Sequence, residues 1–382
     1  MNSLRPTWAE IDLDAIAHNI REVRRCIKPD TKFMAVIKAN AYGHGMVEVA
    51  QVCADEHCDF LAVAMLDEAC ILREHDVCSP ILILGYTPAY DHGLVVENGF
   101  RQTIYDWDSA LSLSDTALAA GKQAYVHIKV DTGMARLGFI PDAEALETIV
   151  KISKLPGLVI EGIFTHFAVA DASDKTFTQK QVEKYNDFLS QLTQAGIDIP
   201  IKHAANSAGI IAHHDAHFNM VRAGISIYGL KPSDEVDMGD LDLIPAMRLK
   251  SRVVMVKEVP ENTPVSYGCT YVTNKKTKIA TVPVGYGDGY IRAYSNRVWA
   301  TVKGRKMPII GRVCMDNCMF DATDIEDIAI GDEVILFGRP EDGITADDLA
   351  KIADTINYEI VCLINSRVPR VHLEHGKRKS RG

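Results

Sequence analysis

The chain has 382 residues, of which 47% are hydrophobic, 24% charged and 7% aromatic, a profile that excludes a disordered or fibrous protein. Single cores stop growing near roughly 250–300 residues, so two domains are expected. Lys plus Arg number 41 against 51 for Asp plus Glu, a net charge of −10 that repels phosphate backbones and argues against nucleic acid as a partner. In chain order, Asp12 or Asp14 can cap an amphipathic helix running to about Lys28,. Phe33–Ile37 is a short apolar run, followed by a helical stretch from about Met46 to Glu56. The theme recurs, with apolar runs at 60–64, 81–84, 102–104, 124–130, 158–165, 200–204 and 219–222. Eight short buried strands separated by helices are the arithmetic of an α/β fold, a (β/α)8 TIM-type barrel over residues 1–240,. A doubly wound open sheet is the alternative, but it needs a GxGxxG after the first strand, which is absent,.

Beyond about residue 240 the helices nearly vanish. Arg248–Val259, Lys278–Pro283, Arg297–Val302 and Glu333–Phe337 alternate in polarity between Gly, Pro and Asn turns. Residues 241–382 therefore read as a mostly antiparallel β domain with one short helix near 345–353,. The acidic stretch Ser233–Asp242 reads as the linker, and the basic run Lys377, Arg378, Lys379, Arg381 as a frayed, solvated end,.

The opening MNSLRPTWAEIDLD lacks the apolar core of a signal peptide, and no window of about 18 apolar residues offers a membrane span,. Nine cysteines is an odd count, scattered through apolar stretches (Cys53, Cys70, Cys269, Cys362) with no CxxC pair. That is the usage of reduced, packed thiols in a cytoplasm. Cys314 and Cys318 lack a second metal half-site and read as buried strand thiols,. His203, His213, His214 and His217 cluster without the Glu of an HExxH helix, so they read as surface or packing residues, and no metal is expected,. Gly285–Gly289 resembles a phosphate loop but reads as a β turn,.

In such a barrel, chemistry collects where strands end and helices begin. Lys38 closes the first strand; Lys129 and Arg136 flank the end of the fifth, His166 the sixth, Asn206 and Ser207 the seventh, and Arg222 the eighth. A lysine at an apolar strand end is favoured as the neutral amine, a nucleophile that forms a Schiff base with carbonyls. The segment after it, Ala39-Asn-Ala-Tyr-Gly-His-Gly45, is small enough for close backbone approach,. Arg222-Ala-Gly224-Ile225 and Ser207 offer amides for a phosphate,. Together these point to pyridoxal 5′-phosphate more readily than to a sugar phosphate, and residues alone leave both open.

The residues then become specific. Ala35-Val-Ile-Lys38-Ala-Asn-Ala-Tyr42-Gly-His-Gly45 resembles the cofactor-lysine signature of the alanine racemases, pyridoxal-phosphate enzymes of fold type III. Lys129-Val-Asp-Thr-Gly-Met-Ala-Arg136, His203-Ala-Ala-Asn206-Ser207, Val221-Arg222-Ala-Gly224-Ile225-Ser, Ser266-Tyr267-Gly, Pro283-Val-Gly-Tyr286 and Gly311-Arg-Val-Cys-Met315-Asp316 match that family in order, across both domains.

The resemblance implies that Lys38 holds the cofactor and moves the Cα proton on the D side, while Tyr267 serves the L side. It places His166 beside the cofactor, Arg222 at the pyridine nitrogen, and Arg136 at the phenolic oxygen and substrate. Tyr42, Ser207, Gly224 and Ile225 would hold the phosphate, with Asn206 beside them. Met315 would line the substrate site next to Asp316, and Tyr286 the corridor inward. Lys129, a second cation near Arg136, is a candidate for carbamylation,. The implied unit is a cytoplasmic homodimer in which Tyr267 and Met315 come from the partner's β domain, supplying D-alanine for the cell wall. Where some relatives carry Tyr before Arg-Val-Pro-Arg, this chain has Ser366, implying a roomier or more polar pocket. A serine or broad-specificity racemase is the alternative. A non-catalytic cofactor carrier or a decarboxylase on the same barrel fits less well, because the Tyr267 and Met315 segments are present.

Overall fold

Eight parallel strands close into a barrel in sequence order. In the computed structural model, which describes residues 5–379, they are β2 (Lys32–Val36), β3 (Phe60–Val63), β4 (Ile81–Ile83), β5 (Arg101–Ile104), β6 (Ala124–Lys129), β7 (Leu158–Phe164), β8 (Ile201–His203) and β9 (Met220–Ala223). The ring shuts where Lys32 pairs with Met220 and Met34 with Arg222. Most of these strand residues are buried, because helices cover the outside and side chains fill the inside; that is why they read as unbroken apolar runs,. Helix starts follow from local chemistry. Asp106, Asp142 and Asn206 accept from the backbone N–H of Ser109, Ala145 and Gly209 at 2.7, 2.9 and 2.9 Å,. This unit comprises Ala17–Ala41 and Met46–Leu243.

Among the described residues, the second unit contains residues 5–16, Tyr42–Gly45 and residues 244–379. A first strand not anticipated from the sequence, β1 (Trp8–Asp12), belongs to it. Ala9 and Ile11 of β1 are fully buried. It pairs antiparallel with β10 (Met247–Arg252) and parallel with β19 (Arg370–Glu374). The seven-stranded sheet also holds β15 (Trp299–Val302), β16 (Arg305–Pro308), β18 (Glu333–Phe337) and β20 (Lys377–Arg378). Beside it, β14 (Thr277–Val282) pairs with β11 (Met255–Val259) and with β17 (Cys318–Asp321). Helix Ala346–Ala353 lies where one was expected, and a second helix, Asn357–Leu363, follows it. Seven residues of mixed polarity give too little periodicity to distinguish that helix from a strand.

Several expectations need correction. The basic tail is not frayed at Lys377–Lys379: β20 pairs with β19, and Lys379 N–H donates to the His372 carbonyl at 2.8 Å, while Arg381 lies outside the described residues. The segment 233–242 has no helix or strand but is tied down, with Ser233 Oγ donating to the Asp171 carbonyl and Glu235 accepting from Ser173, both at 2.8 Å. All nine cysteines are free, yet Cys78, Cys269 and Cys362 are exposed; Cys318 is buried in β17, whereas Cys314 precedes that strand and is half-buried. Among the described residues no helix is long and apolar enough to cross a membrane, and no group of His, Cys, Asp or Glu could hold a metal.

Candidate active site

At the carboxyl ends of the barrel strands the backbone is held under constraint. Lys38, half-buried, follows β2. Ala39, Asn40, Ala41 and Tyr42 then all take left-handed φ values, 53°, 53°, 54° and 51°. A run of four such non-glycine residues is costly and persists only when its surroundings enforce it. Glu68 supplies one restraint, accepting from Ala39 N–H at 2.5 Å and from Ala64 N–H at 2.7 Å. Asn40 Oδ1 supplies another, accepting from Met46 N–H at 2.9 Å.

Arg222, only 3% exposed, points into the barrel from β9. Its guanidinium donates to His203 Nδ1 at 2.9 Å, to the Thr165 and Ala204 carbonyls at 2.8 Å each, and to His166 Nδ1 at 3.2 Å. All four acceptors are neutral, and among the described residues no carboxylate reaches it. Burial pulls it down to about 10, so it stays charged at neutral pH. Lys129 ends β6 at 6% exposure, with Nζ 4.3 Å from the centre of the Phe164 ring. Burial, then Arg222 and Arg136, hold its amine well below the ordinary lysine range, against a smaller opposing pull from Asp131. Burial and the cations Arg222, Lys129, Arg136 and Lys38 together keep His166 neutral, far below the usual imidazole value. Arg136 itself is exposed. Its loop is set by Asp131, whose carboxylate accepts from the N–H groups of Gly133, Met134, Ala135 and Arg136 at 2.8–3.1 Å.

Ser207 begins the short helix after β8, and its Oγ accepts from Gly224 N–H at 2.9 Å and from Ser226 Oγ at 3.0 Å. Gly224, Ile225 and Ser207 thus gather at one corner of the mouth. Asn206 beside them uses its side chain as the helix cap.

The other unit carries a second set. Tyr267 is 70% exposed, Met315 51% and Tyr286 42%. Their backbones are nonetheless fixed. Tyr286 N–H donates to the Cys314 carbonyl at 3.0 Å and Gly287 N–H to that of Met315 at 2.9 Å. A Cβ on Gly285 would lie 2.2 Å from the Cys314 oxygen, so this approach requires glycine,. Ser266 Oγ donates to the Arg312 carbonyl at 2.7 Å, bringing the Tyr267 segment to the same edge. Asp316 accepts from Arg367 at 2.6 Å, next to the exposed Ser366. Tyr42 is buried against Tyr358, ring centres 6.2 Å apart, and burial drives its phenol well above the usual value. Gly43 follows it, its carbonyl accepting from Arg370 Nε at 2.8 Å.

Residues 11–232 match the family model for the alanine racemase N-terminal domain, and residues 246–372 match that for its C-terminal domain. The chain belongs to the alanine racemase family. The alanine racemase of Methanococcus maripaludis is 49% identical over 369 residues, covering 96% of this chain and 99% of that one. That of Clostridium perfringens is 48% identical over 376 residues, covering 98% and 97%. Among solved structures, alanine racemase from Clostridium difficile 630 superposes with a TM-score of 0.96 at 43% identity, covering 99% of this chain and 98% of that one. The Bacillus anthracis enzyme with bound L-Ala-P superposes at 0.94 and 36% identity, covering 100% and 98%. Enzymes of the alanine racemase family are isomerases that use pyridoxal phosphate.

Within this family frame, one residue read from the sequence as packing alone needs correction. His203 is fully buried and braces Arg222, so it supports the site. Its signal was its place as the last residue of an apolar strand, between Lys202 and Ala204. His213 and His217 do serve packing, with ring nitrogens on the Ala170 and Ile210 carbonyls at 3.1 and 2.9 Å. Gly285–Gly289 is a turn between β14 and β15.

Proposed function

We propose that this chain is an alanine racemase that interconverts L- and D-alanine on pyridoxal 5′-phosphate, as a cytoplasmic homodimer supplying D-alanine for the cell wall. One observation carries the cofactor assignment: the barrel mouth concentrates Lys38, Lys129, Arg136 and Arg222, while Arg222 at its floor has only neutral partners. A buried guanidinium with only neutral partners, such as that of Arg222, favours an anionic ligand nearby,. The donor set fits the group. Ser207, Gly224 and Ile225 suit a phosphate, Lys38 a carbonyl, and Arg222 an aromatic nitrogen that must accept a hydrogen bond,.

When bound, pyridoxal phosphate supplies the electron sink that makes a Cα–H bond acidic. The chain supplies the proton carriers. Racemisation needs one on each side of the substrate plane, and Lys38 and Tyr267 take those two places. A guanidinium keeps its own proton, so Arg222 would donate a hydrogen bond to the ring nitrogen without protonating it, which would restrain the sink and disfavour side reactions. Arg136 holds the substrate side, oriented by its Asp131-capped loop. Lys129 as the neutral amine can add carbon dioxide through a new N–C bond and release one N–H proton to solvent, and the resulting carbamate anion would pair with Arg136,. Met315, Asp316 and Tyr286, offered from a second copy, line the substrate entrance. The nine free thiols support a reducing compartment,.

Circular dichroism of L-alanine and L-serine incubated with the holoenzyme tests this reading. Ellipticity should decay to zero, faster for alanine. Faster decay for serine would favour the broader racemase, and no decay with cofactor fully bound would favour a carrier.

A further inference from the structure

Beneath Arg222, one hydrogen-bonded line runs from His203 through His127 to Glu161 and Arg101. His203 takes the guanidinium on Nδ1, and its Nε2 lies 2.9 Å from His127 Nδ1. His127 Nε2 in turn lies 3.2 Å from Glu161 Oε2. Arg101 closes the line, donating from Nε and Nη2 to the two Glu161 oxygens at 3.0 and 3.2 Å. Both imidazoles are fully buried, and His203 stacks on Phe164 with ring centres 4.7 Å apart.

Two backbone features accommodate this line. Across β6 and β7, Val126 pairs with Ile160 but His127 pairs with Gly162. Glu161 is therefore the extra residue of a bulge, a device that re-aims a side chain. A Cβ on Gly162 would lie 2.4 Å from His127 Nδ1, so the imidazole occupies space that any other residue would fill.

The order of protons follows from chemistry. A guanidinium only donates, so His203 Nδ1 accepts and its hydrogen sits on Nε2. That hydrogen points at His127 Nδ1, which leaves the second hydrogen on His127 Nε2, facing a carboxylate. Burial keeps His127 neutral; burial and Arg222 do the same for His203. Burial pushes Glu161 upward, but the bonds from His127 and Arg101 outweigh it and hold the carboxyl at about 2.

Arg222 at one end and the Glu161 carboxylate at the other demand the same proton order; we propose that Glu161 is a positioning residue which, anchored by Arg101, locks that order from the far end and thereby holds Arg222 in one orientation. The design keeps the anion two imidazoles away. A carboxylate in direct contact would neutralise the guanidinium, whereas neutral acceptors fix it and leave its charge available. This rests on the reading that Arg222 faces the cofactor ring.

Side-chain nitrogen-15 NMR on full-length, histidine-labelled protein, with and without cofactor, tests it. Both histidines should be Nε2–H tautomers in the unsubstituted chain. In Glu161→Leu the tautomers should mix and kcat fall about tenfold or more, with KM within about threefold. Glu161→Gln, whose amide oxygen still accepts from His127, should keep the tautomers and most of kcat. An Nδ1–H or doubly protonated imidazole in the unsubstituted chain overturns the proposal, and so does a Glu161→Gln variant whose tautomers mix or whose kcat falls about tenfold. If Glu161→Leu does not fold, those two results still decide. Failure to racemise alanine would sink the functional reading while leaving the tautomer assignment measurable.

Discussion

The barrel mouth and the Tyr267 edge of the second unit solve opposite problems. In the barrel the functional groups are buried and saturated with partners: Arg222 has four acceptors and Asp131 takes four backbone N–H groups. At the other edge the backbone is just as firmly set, by Gly285 and by the Ser266–Arg312 bond, yet Tyr267 and Met315 project into the open. A preorganised pocket needs its charges locked before the ligand arrives. Exposed side chains on rigid backbone are groups offered to something outside their own unit, a second copy of the chain in the function proposed above.

The largest expected effects come from breaking each half separately. Lys38→Ala and Tyr267→Ala should each cost about a thousandfold or more in kcat. Borohydride reduction with peptide mapping should put the pyridoxyl group on Lys38. Mixing the two inactive variants should then restore activity, because one site in each heterodimer is intact. Proven subunit exchange without recovery would show that the two sets do not work across chains.

A smaller effect sharpens the electrostatics of the barrel half. Unmodified Lys129 has a folded-state value far below that of the unfolded lysine. Between those values the unfolded chain binds the extra proton, so stability rises with pH. Carbon-dioxide-free enzyme should accordingly gain melting temperature from about pH 7 to 9, more than bicarbonate-loaded enzyme does. Carbon-13 bicarbonate should give a carbamate resonance that disappears in Lys129→Ala; its absence from the unsubstituted enzyme would leave a plain neutral amine.

The smallest effect belongs to the open edge. Ser366 offers a hydroxyl and leaves space that a larger side chain would fill. Ser366→Tyr should lower the serine-to-alanine ratio of kcat/KM by about fivefold, near 1 kcal/mol. An unchanged ratio would remove Ser366 from substrate choice.

Much of the barrel half was legible in sequence because its determinants are local. Strands buried on both faces must be apolar runs, and polar residues at their ends stand out, as Lys38, Lys129, His166, Ser207 and Arg222 do. The motif order carried the family. What stayed hidden depends on partners distant in the chain. β1 is ordinary alternation until β10 and β19 flank it, some 240 and 360 residues away, a pairing no local pattern encodes,. Glu161 reads as a polar interruption in an apolar run. Only the slipped register against β6 turns it toward His127, and only then do His203 and Arg222 become its line of contact. By itself, the sequence determined which residues could do chemistry and which segments would be the barrel strands. Tertiary structure alone decided which of those residues are buried together, because desolvation and hydrogen-bond direction arise only from neighbours that folding brings into contact.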